Sequence, residues 1–143
     1  MENWEQVKGY EGIYEVSDLG NVKSLNYNKT KKEKQLNKYL EKNEYYSVCL
    51  SFMGKYKTRT VHQLVAESFL NHNPSMFKLV VNHINGIKTD NRVKNLEIIT
   101  ARENTNKKHL KSTSKHTGVS WYKNYKKWLA TIHIKGKKVF LGY

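Results

Sequence analysis

Between Val80 and Asn104 the chain reads VVNHINGIKTDNRVKNLEIITAREN, and its punctuation leaves the backbone few options. An apolar pair runs into Asn82-His83, Asn85-Gly86 turns the chain, and a second apolar run, Leu96–Ile99, follows. Thr100-Ala101-Arg102-Glu103 then has the spacing of a capping box, in which Thr100 accepts from the third helical amide and Glu103 reaches back. The spacing predicts strand, loop, strand and helix, with His83 near the end of the first strand and Asn104 in the first helical turn. Two strands pinned against one helix bring His83, Asn95 and Asn104 close together.

This segment resembles the active-site motif of the HNH endonucleases, in particular the homing-endonuclease branch, whose core is a ββα-metal unit. His83 stands for the first His, Asn95 for the central Asn and Asn104 for the final residue, 12 and then 9 positions apart. Val61-His62-Gln63-Leu64-Val65-Ala66 ahead of it and Asn91-Arg92-Val93-Lys94-Asn95-Leu96-Glu97 within it extend the likeness. The resemblance implies a metal-dependent DNA endonuclease, site-selective and tied to a phage or mobile element.

Under that resemblance His83 and Asn95 form the catalytic pair. His83 is the general base, since an imidazole of ordinary pKa, about 6.5, changes charge near neutrality. Asn95 is structural within the pair, its amide bracing the loop so that the His83 ring keeps its tautomer. Asn82 and Asn104 are the metal ligands, offering carbonyl oxygens to a hard cation, Mg²⁺ or Mn²⁺. Members of this branch often carry Asp where Asn82 stands, so the site lacks one negative charge. Taken singly, each Asn in so turn-rich a segment is more often a turn residue, and Asp90 reads as one.

Ahead of this core, Ile13, Tyr14 and Val16 suit a strand, Asp18-Leu19-Gly20-Asn21 a turn, and Val22–Leu25 a second strand. The pattern resembles the small NUMOD-like β module found ahead of HNH motifs. Residues 26–42 are lysine-rich, with Lys38 among them, and read as a solvated loop or short helix. Tyr45–Phe52 and Tyr56–Thr60 pair across Met53-Gly54-Lys55. Thr60 and Gln63 have capping-box spacing ahead of a helix over Val61–Leu70, whose apolar stripe is Val61, Leu64, Val65 and Phe69. His62 lies off the stripe and reads as a surface or hydrogen-bonding residue; the resemblance alone draws it toward the scissile phosphate. Pro74 is expected to end this helix.

After Glu103 there are ten lysines and no acidic residue. The second helix is expected to run from Ala101 to about Leu110, and residues 111–116 to form a linker. Three short aromatic strands follow over 118–122, 127–134 and 138–143, with turns at Asn124 and Gly136. This tail resembles the three-stranded DNA-binding sheet of plant ethylene-response factors through Lys127-Trp128 and Leu141-Gly142. Ser120 and Tyr122 stand where that family commonly has base-reading arginines. The sequence stops at Tyr143, where that family's helix would begin, so the sheet is expected to be truncated or covered by something else.

The resulting fold class is α+β: a small N-terminal β module over 1–45, a ββα-metal core with its preceding hairpin and helix over 46–110, and a linker with a three-stranded antiparallel sheet over 111–143. A net charge of +14 points to a polyanionic partner. Double-stranded DNA is the expected one, contacted by Lys88, Arg92, Lys107, Lys108, Lys111, Trp121, Lys123 and Lys127. One cysteine, Cys49, allows no internal disulfide and reads as a small core or sheet residue. A zinc site from Cys49, His62, His72 and His83 fails for want of paired short-range ligands. No apolar run is long enough to span a bilayer, and the N-terminus has no signal-like segment, so a cytoplasmic location in a bacterial or phage-infected cell is expected. Monomer and homodimer stay open. A DNA-binding protein on the same scaffold without catalysis is the alternative; an RNA-binding protein would leave the His-Asn-Asn spacing unexplained.

Overall fold

Short β-prone runs cut by turns give antiparallel sheets, with two small α-helices among the described residues, an α+β arrangement. The computed structural model describes residues 1–74, 78–107, 114, 116, 118–134 and 136–143. It divides into two compact units, Met1–Asn104 and Thr105–Tyr143. Among the described residues no helix is long and apolar enough to cross a membrane.

In the first unit, β1 (Trp4–Gln6), β2 (Tyr14–Ser17), β3 (Val22–Ser24) and β4 (Lys34–Gln35) form a four-stranded antiparallel sheet in chain order. A second sheet holds β5 (Tyr39–Leu40), β6 (Tyr46–Phe52) and β7 (Lys55–Thr60). Helix α1 (Val61–Phe69) follows, then the hairpin of β8 (Leu79–His83) and β9 (Leu96–Thr100), then α2 (Ala101–Asn106). The period-2 alternation of β2 and β6 turns Tyr14, Val16, Val48 and Leu50 inward. They meet Val7, Val22, Val61, Leu64, Val65 and Leu96 in one apolar cluster, so residues from Val7 to Leu96 share a core. Tyr14 ties the first two sheets together: its hydroxyl donates to the Ser51 carbonyl (3.3 Å) and accepts from the Ser51 amide (3.0 Å). Ser68 on α1 donates to the Gln6 carbonyl of β1 at 3.0 Å.

Several local expectations are corrected. Residues 26–42 hold a single 3₁₀ turn at Tyr27–Lys29 and the two short strands β4 and β5, because pairing against β3 and β6 is a tertiary contact that composition does not reveal. Thr60 precedes α1 but makes no capping bond, and its buried hydroxyl has no partner among the described residues. Helix α1 ends well before Pro74: Asn71 turns left-handed (φ 51°), and the amides of Leu70 and His72 both return to the Ala66 carbonyl. Cys49 lies in β6 yet faces outward, since its neighbours Val48 and Leu50 take the buried side. At Thr100 the capping box forms as spelled: Thr100 Oγ accepts from the Glu103 amide (3.1 Å) and the Glu103 carboxylate accepts from the Thr100 amide (2.8 Å). The expected run of α2 through His109 to Leu110, and Lys108 and Lys111, lie outside the described residues.

The second unit is a three-stranded antiparallel sheet of β10 (Val119–Tyr122), β11 (Lys127–Ile134) and β12 (Lys137–Gly142), with a register irregularity between Ala130 and Thr131. Trp121 and Trp128 sit edge to face at 5.3 Å, and both are exposed, as are Phe140, Leu141 and Tyr143.

Candidate active site

The β8–β9 hairpin sets the register: Asn82 stands opposite Glu97 and His83 opposite Leu96. Beyond His83 the loop doubles back, with the Ile84 amide on the Asn95 carbonyl (2.9 Å) and the Gly86 amide on the His83 carbonyl (2.9 Å). Asn95 is buried and its amide is spent inside this loop. Its Nδ2 donates to Asn85 Oδ1 (3.0 Å) and to the Asp90 carbonyl (2.8 Å), while its Oδ1 accepts from the Asn85 amide (3.1 Å). Asp90 completes the brace, accepting from Asn85 Nδ2 (2.9 Å) and from Arg92 Nε (2.7 Å). The Arg92 guanidinium holds the Asp90 carboxyl down at about 2, so it is ionised throughout the working range.

The ring of His83 is buried, and its Nε2 meets Asn91 Oδ1 at 3.0 Å. A carbonyl oxygen only accepts, so Nε2 carries the proton and Nδ1 is the lone-pair nitrogen. Burial lowers the His83 pKa, and the Asn91 hydrogen bond and the Asp90 charge partly oppose it. The ring is therefore neutral at physiological pH, the form a base requires.

His62 departs from the periodicity argument. It is 8% exposed, with Tyr45 at 4.6 Å on one side and the edge-on ring of His83 at 5.3 Å on another. One-sided burial was the wrong premise: Val61, His62, Leu64, Val65, Ala66 and Glu67 are all buried, so α1 is covered around most of its circumference. Burial, reinforced by the neighbouring His83 and His72, pushes the His62 pKa down to about 3.

Among the described residues no group of three or more His, Cys, Asp or Glu is arranged to hold a metal. The expected ligands Asn82 and Asn104 offer amide oxygens, the donor type a hard cation takes. Asn104 Oδ1 is buried without a hydrogen-bond partner among the described residues. Asn82 donates its Nδ2 to Glu97 Oε1 at 2.6 Å, which assigns the amide and leaves Oδ1 as its acceptor face. Glu97 also sets a carboxylate beside the neutral Asn82.

Of the cations expected on DNA, Lys88 spans Glu44 (3.1 Å) and the Asn43 carbonyl (3.1 Å), and Arg92 grips Asp90. The exposed Lys88–Glu44 pair is worth about 0–1 kcal/mol, so a phosphate can compete for Lys88, whereas Arg92 is held by two bonds to the largely buried Asp90 carboxylate. Lys107, Lys123, Lys127 and Trp121 are exposed, Lys127 lying over the Tyr143 ring at 5.7 Å. Asn91, Tyr45 and Glu97 carry no sequence signal of a functional role. Asn91 and Glu97 lie in the motif, yet nothing local indicates which way either side chain turns.

Comparison with known proteins gives two family matches: residues 2–51 to the NUMOD4 motif and residues 59–106 to an HNH endonuclease model. The chain is 36% identical over 126 residues to DNA endonuclease I-HmuI of Bacillus phage SP01, covering 86% of this chain and 68% of that one. It is 39% identical over 106 residues to an HNH endonuclease of Acanthamoeba polyphaga mimivirus, covering 72% of this chain but only 25% of that longer protein. A solved structure of I-HmuI, described as DNA binding and cleavage by the HNH homing endonuclease, superposes with a TM-score of 0.62 at 37% identity, over 71% of this chain and 55% of that one.

Proposed function

The chain belongs to the HNH endonuclease family, and from that premise we propose that it hydrolyses phosphodiester bonds in double-stranded DNA with Mg²⁺ or Mn²⁺, as a site-selective homing or phage endonuclease. HNH endonucleases depend on a divalent metal. The observation that carries the reading is the His83 ring: buried, neutral, and fixed through Nε2–H on Asn91 so that Nδ1 is free to take a proton.

In this mechanism His83 Nδ1 removes a proton from the attacking water, and the Asn91 contact stabilises the imidazolium that results. The Asn95 brace keeps the loop, and with it the ring, from turning. Asn82 Oδ1 and Asn104 Oδ1 would hold the cation, with Glu97 supplying nearby negative charge. Held there, a divalent cation would supply stabilisation of the charge that develops as the phosphodiester is cleaved. Lys88, Arg92, Lys107, Lys123 and Lys127 contact phosphates, and Trp121 offers an aromatic face to bases. The reading places the activity in the cytoplasm of a bacterial or phage-infected cell. With one motif per chain, a monomer nicks and a dimer cuts both strands.

The neutrality of Asn82 and Asn104 favours a second reading, a DNA-binding protein on this scaffold that does not cut. Conversion of supercoiled plasmid separates the two. Wild type should nick or linearise DNA with Mg²⁺ or Mn²⁺ and not with EDTA, and His83→Ala should bind without cutting. Equal cutting by His83→Ala would remove His83 from the mechanism.

A further inference from the structure

Asn91, which holds the His83 ring, is itself held from outside the motif. The β2–β3 turn of the first sheet packs against it. Gly20 sits at φ +77°, and a methyl there would lie 2.8 Å from Asn91 Cβ and 3.1 Å from the Asn91 carbonyl oxygen. Two positions along the same loop, the Val93 amide donates to the Asp18 carbonyl at 2.8 Å. The turn is rigid in its own right. Buried Ser17 accepts through Oγ from the Asn21 amide (2.9 Å), the Gly20 amide returns to the Ser17 carbonyl (2.9 Å), and Lys38 Nζ donates to the Gly20 carbonyl (3.1 Å) and to Asn21 Oδ1 (3.0 Å).

We propose that this turn is a positioning element of the active site, in which Gly20 and Asp18 fix Asn91 and, through it, the tautomer and angle of His83. The first sheet is then part of the catalytic apparatus as well as of the core. The inference rests on the assignment of His83 as base, and its first readout is independent of that assignment. Lys38, which composition assigned to a solvated face, belongs to the buttress.

A matched pair of variants isolates the contact. Gly20→Ala and Gly9→Ala impose the same left-handed strain, because Gly9 sits at φ +78°, but a methyl at Gly9 meets nothing within 4 Å. The His83 ring nitrogens are followed by ¹⁵N NMR on the intact protein without metal or DNA. Supercoiled plasmid with Mn²⁺ then reports single-turnover cutting and gel-shift affinity. Gly20→Ala should move the His83 Nε2 signal away from its hydrogen-bonded position and slow cutting on the order of tenfold or more, with DNA affinity within about twofold. Gly9→Ala should leave all three unchanged. Should Gly20→Ala fail to fold, Lys38→Met loosens the same turn without adding bulk and must also shift the His83 signals. Identical His83 spectra for the two glycine variants, or an unshifted spectrum in Lys38→Met where that variant carries the test, overturns the proposal. A shifted Gly20→Ala spectrum beside a wild type that itself never cuts plasmid would uphold the buttress and sink the nuclease reading instead.

Discussion

Acid should unfold the first unit through His62 before it reaches most carboxylates. The ring is held neutral between Tyr45 and His83, its pKa moved from the ordinary 6.5 to about 3 by burial first and by His83 and His72 second. A depressed folded-state pKa contributes stability that is complete above 6.5 and is lost as pH falls toward 3, because the unfolded chain binds the proton first. Between pH 7 and pH 5 that one group removes about 2 kcal/mol. The figure follows almost entirely from the unfolded-state value, since any folded-state pKa of about 4 or less gives nearly the same loss. His83 titrates in the same direction, so the wild type alone does not isolate His62. The measurement is urea denaturation at pH 7 and pH 5 for wild type and His62→Gln, followed through the amide resonances of α1, which report the first unit. Wild type should lose about 2 kcal/mol more than the variant over this interval. Equal losses in the two proteins would refute the account of His62 as a buried neutral ring.

Three other outcomes follow from the contacts. Tyr14→Phe removes both bonds to Ser51 and should destabilise the protein by about 1–3 kcal/mol, read as a lower urea midpoint with an unchanged slope. Asn95→Ala strips three hydrogen bonds from a buried loop and should cost about 2–4 kcal/mol, whereas Asn104→Ala, whose Oδ1 has no partner among the described residues, should stay within about 0.5 kcal/mol while abolishing metal-dependent cutting. Glu97→Gln keeps the shape of the Asn82 contact but removes its charge; a Mn²⁺ titration by electron paramagnetic resonance should show affinity reduced about tenfold or more, and an unchanged titration would exclude Glu97 from the cation's surroundings.

The parts of the fold legible in the sequence are those whose causes are local. The β8–β9–α2 run was readable because apolar spacing, Asn-Gly and the Thr100–Glu103 box each act over a few residues, and the box forms with the bonds its spelling implies. His62 was not readable, because a helical stripe identifies one buried face and says nothing of a second face covered by Tyr45 and His83. The same holds for the partner of His83. Asn91 and Asn95 are both amides in one loop, and only the fold decides that Asn95 turns inward to Asn85 and Asp90 while Asn91 meets the ring. Gly20 was legible as a turn residue but not as a contact, since the atoms it must accommodate lie some seventy residues away.

The single apolar cluster from Val7 to Leu96 also bears on how the protein is made. A nascent chain leaving the ribosome presents Val7, Tyr14, Val16 and Val22 long before Leu64, Val65 and Leu96 exist to cover them. The closing contacts are distant in sequence, so ordering the early strands returns little until the last partner emerges. Fragments that stop short of Leu96 should be protease-sensitive during synthesis. Assembly of the His83 environment then coincides with completion of the core.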